Sequence, residues 1–254
     1  MRLNIDVEIK STLSTGDAAL LMVEVAQHDG QNVVASELVV DQGEVTRVEG
    51  TGMVWVRVTG ETLDVRYHAA VQITRSATVL ANKASPLLEA LPAEVLPFLR
   101  PSRYCPSDMF TEFTEQQFGA LEGGAKVAAI RDWIAEHLSY VPGSSSGVTT
   151  AMDTFCTRQG VCRDFTHLFC TLARAAQIPA RYASVYGADV VPQDFHAVAQ
   201  VWLEGEWHLV DATQMGAPHE MALIATGRDA ADVAFMETVQ WAELHLLRVM
   251  VRKD

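Results

Sequence analysis

The sequence predicts an α+β fold: an N-terminal β-sandwich, a proline-rich connector, and a second unit in which a cysteine-bearing helix packs on an antiparallel sheet. Three observations carry this expectation. Apolar and polar residues alternate through residues 1–80, the pattern of half-buried strands. Pro86, Pro92, Pro97, Pro101 and Pro106 then recur among short apolar pieces, and proline limits helix length. Beyond them a helical stripe and a second set of strand-like runs follow. The expected units are residues 1–80, the connector 81–106, and 107–254.

The first strand is expected where Leu3, Ile5, Val7 and Ile9 alternate with Asn4, Asp6, Glu8 and Lys10. Leu63 to Ile73 repeats that period over a longer run. Ala19–Val25, Val33–Val40 and Met53–Thr59 are rich in β-branched or apolar residues. Turn signals separate them at His28-Asp29-Gly30, Asp41-Gln42-Gly43 and Thr59-Gly60-Glu61. Two packed sheets fit this pattern.

In the second unit, Val127, Ile130, Ile134 and Leu138 recur every three or four residues and predict a helix over 125–140, stopped near Pro142. Gly143 to Gly147 reads as a solvated loop or a mobile rim to a site. A second helix is predicted over 161–177, with Phe165, Leu168, Phe169 and Leu172 inward. Strands are predicted at 181–186, 197–203 and 207–210, the last two joined by a hairpin at Glu204-Gly205. A short helix near 229–235 and a strand over 244–251 complete the second unit.

Composition narrows the function. The chain of 254 residues carries a formal charge of −13 with 20% charged residues. Such a charge repels nucleic acid and anionic membranes, so neither is expected as a partner. No run of about 18 apolar residues marks a transmembrane helix, and the N-terminal stretch lacks a signal peptide's apolar segment. A cytoplasmic location is expected. Cys105, Cys156, Cys162 and Cys170 are too few for a disulfide scaffold and contain no C-x-x-C pair.

Cys162 follows Gly160 at the expected start of a helix, where unpaired N–H groups and the dipole favour a thiolate. A histidine partner lowers a thiol pKa further. With a two-residue hairpin loop, Leu203 faces Glu206, Trp202 faces Trp207, and Val198 faces Asp211. His196 then lies on the face of Asp211 and diagonal to it. A four-residue loop keeps this register, whereas a three-residue loop breaks it unless a bulge intervenes. Cys162 as nucleophile, His196 as base and Asp211 as the group that orients the ring form a candidate acyl-transfer triad.

Arg158-Gln159-Gly160-Val161-Cys162-Arg163-Asp164-Phe165 resembles the nucleophile segment of bacterial transglutaminase-like proteins, and Gln177 to Gly187 is similar to the helix-to-strand passage after it. Asp194-Phe195-His196-Ala197 and Trp207 to Thr213 resemble the histidine and aspartate segments, and Thr226 to Ala234 the tail. The resemblance covers 126–235, with a looser likeness of the N-terminal region to the β domain that precedes such cores. It implies a papain-like core, the same triad, and a cysteine protease or amidase. Many relatives carry tryptophan after the histidine, where Ala197 stands here, which implies a wider site or altered acceptor access.

The expected substrate is a peptide or protein amide, attacked by Cys162 to give a thioester. Water then completes hydrolysis, and an amine completes transamidation. No cofactor or metal is required, and no calcium-ligand cluster is recognisable. Gln159 and the Cys162 backbone N–H are alternative oxyanion donors. Asp164 is expected to cap the helix or pair with Arg163 or Arg181, and His167 and His208 to face away from the site. The rival reading is a binding or scaffold module that keeps the fold without catalysis.

Overall fold

The computed structural model describes residues 1–254. Its first strands are β1 (Arg2–Leu13), β2 (Ala18–Leu21), β3 (Gln31–Asp41), β4 (Gly43–Val48), β5 (Met53–Val58) and β6 (Thr62–Ile73). Helices α1 (Thr111–Phe118), α2 (Gly123–His137), α3 (Ala151–Thr157) and α4 (Cys162–Ala175) follow. The two-residue strand β7 (Ser139–Tyr140) separates α2 from α3, and β8 (Gln159–Gly160) separates α3 from α4. After α4 come β9 (Ala180–Tyr186), β10 (His196–Leu203), β11 (Glu206–Val210), β12 (Ala222–Gly227), β13 (Met236–Thr238) and β14 (Ala242–Lys253). No helix is long and apolar enough to cross a membrane.

The N-terminal strands enter two four-stranded sheets, ordered β14-β1-β6-β3 and β13-β2-β5-β4, with every pairing antiparallel. Alternation sends Leu3, Ile5, Val7 and Ile9 of β1 and Val54, Val56 and Val58 of β5 into one shared core. Strand β4 was not foreseen because its side chains are largely exposed and carry no apolar period. It pairs with β5 as a sheet edge, held by backbone bonds that composition does not reveal.

The tail corrects the expected partition. Strand β14 pairs with β1 along its length, from Leu3 opposite Lys253 to Leu13 opposite Ala242, and β13 pairs with β2. The chain end expected within 107–254 therefore completes the N-terminal sheets, where Val249 and Val251 are buried. The short helix expected near 229–235 is a single 3-10 turn, Ala230–Asp232.

The third four-stranded sheet, β11-β10-β9-β12, is antiparallel throughout. Alternation along β10 divides its faces: Ala199, Val201 and Leu203 join α4 and α2 in one core, while Val198 joins Val185, Leu209 and Leu223 in another. Strand β12 was missed because its residues form a short continuous apolar run without alternation. Helix α3 was also missed, although Thr150 and Asp153 form a capping box that is visible in sequence. Helix α1 is polar enough to give no apolar stripe.

Residues 81–106 lie against the second unit through the 3-10 turn Leu96–Leu99, where Phe98 meets Trp207 edge-on at 5.3 Å, and through the Lys83 carbonyl, which accepts from the Gly124 N–H at 2.8 Å. Their anchor is Arg174, 1% exposed near the end of α4. Its guanidinium donates to the carbonyls of Ala180, Arg100 and Arg228 and to Ser102 Oγ. One buried side chain thus ties α4 to β9, the connector and the turn before Ala230. Arg174→Met strands four acceptors without a donor, and we expect a loss of about 3 kcal/mol in urea unfolding. A loss under about 0.5 kcal/mol, the range of an ordinary surface change, would contradict this anchoring role.

Candidate active site

Cys162 is the first residue of α4, after extended Val161. Asp164 fixes this start: its fully buried carboxylate accepts from the Val161 N–H at 2.9 Å, from Ser145 Oγ, and from Arg163 at 3.0 Å. Asp164 therefore both caps the helix and pairs with Arg163. Arg181 is elsewhere, bonded to Gln200 and lying 4.0 Å over the Trp207 ring. Arg163 also donates to the Ser146 carbonyl, and the Tyr104 hydroxyl donates to that of Gly147 at 2.8 Å. The 143–147 loop is thereby tied to the helix that begins with Cys162.

A small parallel bridge places a further group near Cys162. Ser139 and Tyr140 of β7 pair with Gln159 and Gly160 of β8, and the Val141 N–H donates to the Gly160 carbonyl at 2.9 Å. Gly160 leaves room for Asp164, whose Cβ would lie 2.6 Å from an added Cβ. The bridge brings Tyr140 beside Cys162, close enough for the two side chains to influence each other electrostatically. Burial first, then the charge of Cys162, pushes the Tyr140 pKa up to about 12. Sequence reasoning missed Tyr140, which lies far along the chain from Cys162 with no periodic signal. Gln159, the donor considered instead, has an exposed side chain.

The histidine and aspartate come from the hairpin. Glu204 and Gly205 both have positive φ, 51° and 83°, and form the two-residue loop. Leu203 pairs with Glu206, Trp202 with Trp207, and Ala199 with Val210. That register brings His196 Nε2 to 3.1 Å from Asp211 Oδ2, with both side chains 1% exposed. The other ring nitrogen, Nδ1, is not engaged by Asp211, and Cys162 lies close enough to the imidazole to raise its pKa. Asp211 is held in turn by the Thr213 N–H at 2.8 Å and hydroxyl at 2.7 Å. Asp-x-Thr is a recognisable Asx-turn pattern, so the support from Thr213 was open to sequence reading.

Electrostatics follow from this enclosure. Burial lowers the His196 pKa, but the hydrogen bond to Asp211 and the nearby Cys162 outweigh it and hold the imidazole at about 9. Burial raises the Asp211 pKa, and its bonds to His196 and Thr213 outweigh that, leaving it below the usual carboxylate range. The pair is an ion pair across neutral pH.

His167 and His208 face elsewhere. His167 is buried between Tyr104 and Tyr182, accepts from the Ala230 N–H, and is kept neutral by burial, with its pKa down at about 3. His208 Nε2 lies 3.3 Å from the Leu203 carbonyl. Ala197 corrects the expectation of a wider site. It is 3% exposed and packs in the core shared with the N-terminal sheets, so its small side chain admits those sheets.

The histidine segment is clamped from the N-terminal side. Phe195 stacks on Phe235 at 5.1 Å, and the Tyr186 hydroxyl donates to the Val23 carbonyl at 2.7 Å. Gln193 makes a reciprocal pair of bonds with the Val251 backbone in β14.

The sign of the pH dependence is fixed by these shifts. The raised His196 pKa contributes stability that is full below about pH 6.5 and lost as pH rises through about 9. The lowered Asp211 pKa contributes stability present above about pH 4 and lost as pH falls through its folded value. An NMR titration of His196 should give a midpoint near 9, moving down in Asp211→Asn. A midpoint at or below the ordinary value of about 6.5 in the wild type would refute the pairing.

Residues 111–212 match the family model of the transglutaminase-like superfamily. A solved structure from Cytophaga hutchinsonii, described as that of a candidate cysteine protease, is 32% identical. It aligns over 99% of this chain and 90% of its own, with a TM-score of 0.91. An uncharacterized protein of Mycobacterium leprae is 32% identical over 118 residues. That match takes in 43% of this chain, which spans 42% of the Mycobacterium leprae protein's length. The chain belongs to the transglutaminase-like superfamily.

Proposed function

We propose that this protein is a cysteine-dependent amide hydrolase, a protease or amidase working through Cys162, His196 and Asp211. One observation carries the reading: a buried His196–Asp211 pair at 3.1 Å whose imidazole has its pKa raised further by a nearby cysteine at a helix N-terminus. A scaffold has no physical use for a buried ion pair aimed at a thiol. The similarity to a candidate cysteine protease over nearly the whole chain supports the same class. In this reading the two N-terminal sheets form a β-sandwich, and the helices with the β9–β12 sheet form a papain-like core.

Cys162 Sγ attacks the amide carbonyl, forming the C–S bond while the carbonyl electrons move to oxygen. The oxyanion is held by the Cys162 backbone N–H and the Tyr140 hydroxyl. A pKa near 12 keeps Tyr140 a phenol, and so a donor, at neutral pH. As the C–N bond breaks, the His196 imidazolium gives its proton to the leaving amine. The thioester then meets water, deprotonated by His196, and releases the acid with the thiolate restored. An amine in place of water gives transamidation on the same site.

p-Nitrophenyl acetate tests the chemistry without knowledge of the natural substrate. Intact-mass spectrometry should show one acetyl group on Cys162, removed by hydroxylamine, and none there in Cys162→Ala. Tyr140→Phe should slow acylation by about 10²-fold, the cost of one oxyanion donor. Acylation confined to exposed Cys156, or absent, would sink the proposal. Glycine ethyl ester added to peptide substrates separates the two acceptors, and we expect free acid to remain the main product.

A further inference from the structure

Strand β11 is the open edge of its sheet, paired only with β10. Counting from the two-residue loop, Leu203–Glu206 is a hydrogen-bonded pair and Trp202–Trp207 is not, so the pattern alternates from there. Trp207 and Leu209 therefore direct their backbone N–H and C=O groups away from β10. This edge borders a cavity of about 880 Å³. Its other walls include His28–Gly30, the segment after β6 at Arg75, Ser76 and Thr78, Arg131 of α2, and Pro218–His219. Ser76, Ala77 and Thr78 are exposed and make no backbone hydrogen bonds within the protein. Two unpaired backbones thus line one slot.

We propose that this slot binds a single extended segment of unfolded polypeptide, added as a strand to β11. Its chemistry favours main-chain recognition. Arg75 and Arg131 are offset by Asp29 and Glu206, which leaves little charge preference, while Trp202 and Trp207 supply apolar surface. Strand addition draws affinity from backbone bonds and so tolerates many sequences. A folded second copy does not fit this description, because its edge strand brings a neighbour about 4.8 Å away into a slot walled on several sides. Cys162 and His196 do not line the cavity, whereas Asp211 does. The slot is therefore separate from the nucleophile yet joined to it through one residue. That the segment belongs to the substrate rests on the acyl-transfer reading; that a strand binds here does not.

Amide exchange of Trp207 and Leu209, followed by NMR in full-length Cys162→Ala, tests the slot apart from any chemistry. The probe is reduced, carboxymethylated α-lactalbumin, an unfolded chain of mixed sequence. At saturating probe both amides should exchange about tenfold more slowly, and Thr78→Trp, a change at an exposed wall position, should abolish the effect. Folding of that variant is checked by its unchanged amide spectrum outside the slot. Three results would overturn the proposal: exchange unaltered by the probe, equal protection in folded Thr78→Trp, or slow exchange already present without probe. The last would mean that the 76–78 segment itself closes on β11.

Discussion

A carboxylate and an imidazole withdrawn together from water are stable only as partners, and much of this molecule serves to keep them together. Removing one partner from such a pair leaves a buried charge at a cost of about 3–5 kcal/mol. The bond from His196 to Asp211 depends on hairpin register, because a slip of one residue would send either side chain to the opposite face. The positive φ values at Glu204 and Gly205 select the two-residue loop that prevents the slip. Thr213 then fixes the carboxylate rotamer through two bonds to its other oxygen.

The cysteine and the histidine are anchored by different parts of the fold. On the cysteine side, Asp164 and Arg163 join the start of α4 to the 143–147 loop, and Arg174 ties its far end to the connector. On the histidine side, Tyr186, Phe195 and Gln193 reach into the N-terminal sheets, and the last of these contacts is with β14. The returning tail therefore supports the geometry of the candidate site as well as the sheet it completes. The N-terminal sheets act on the site through packing, since they contribute none of the proposed reacting groups.

Much of this was legible in the sequence because it rests on local periodicity. The alternation of Leu3 to Ile9 gave β1, the stripe from Val127 to Leu138 gave α2, and Glu204-Gly205 gave a register that the structure reproduces. What escaped depends on contacts between distant segments. Tyr140 reaches Cys162 through a two-residue parallel bridge too short to leave a pattern. Strand β14 reads as a strand in either unit, and only its pairing with β1 assigns it. The expectation that Ala197 widens the site or alters acceptor access rests on a comparison of residue types, which gives no direction for its side chain, and that side chain packs in the core.

The most direct test of the account is the rate of iodoacetamide alkylation at each cysteine as a function of pH, read by peptide mass spectrometry. Cys156 serves as the exposed reference, while Cys105 and Cys170, whose thiols burial pushes up in pKa, serve as the buried ones. The account predicts that Cys162 reacts faster than Cys156 well below the free-thiol pKa of about 8.5, and that His196→Ala removes the advantage. Equal reactivity of Cys162 and Cys156 at every pH, with or without His196, would contradict it.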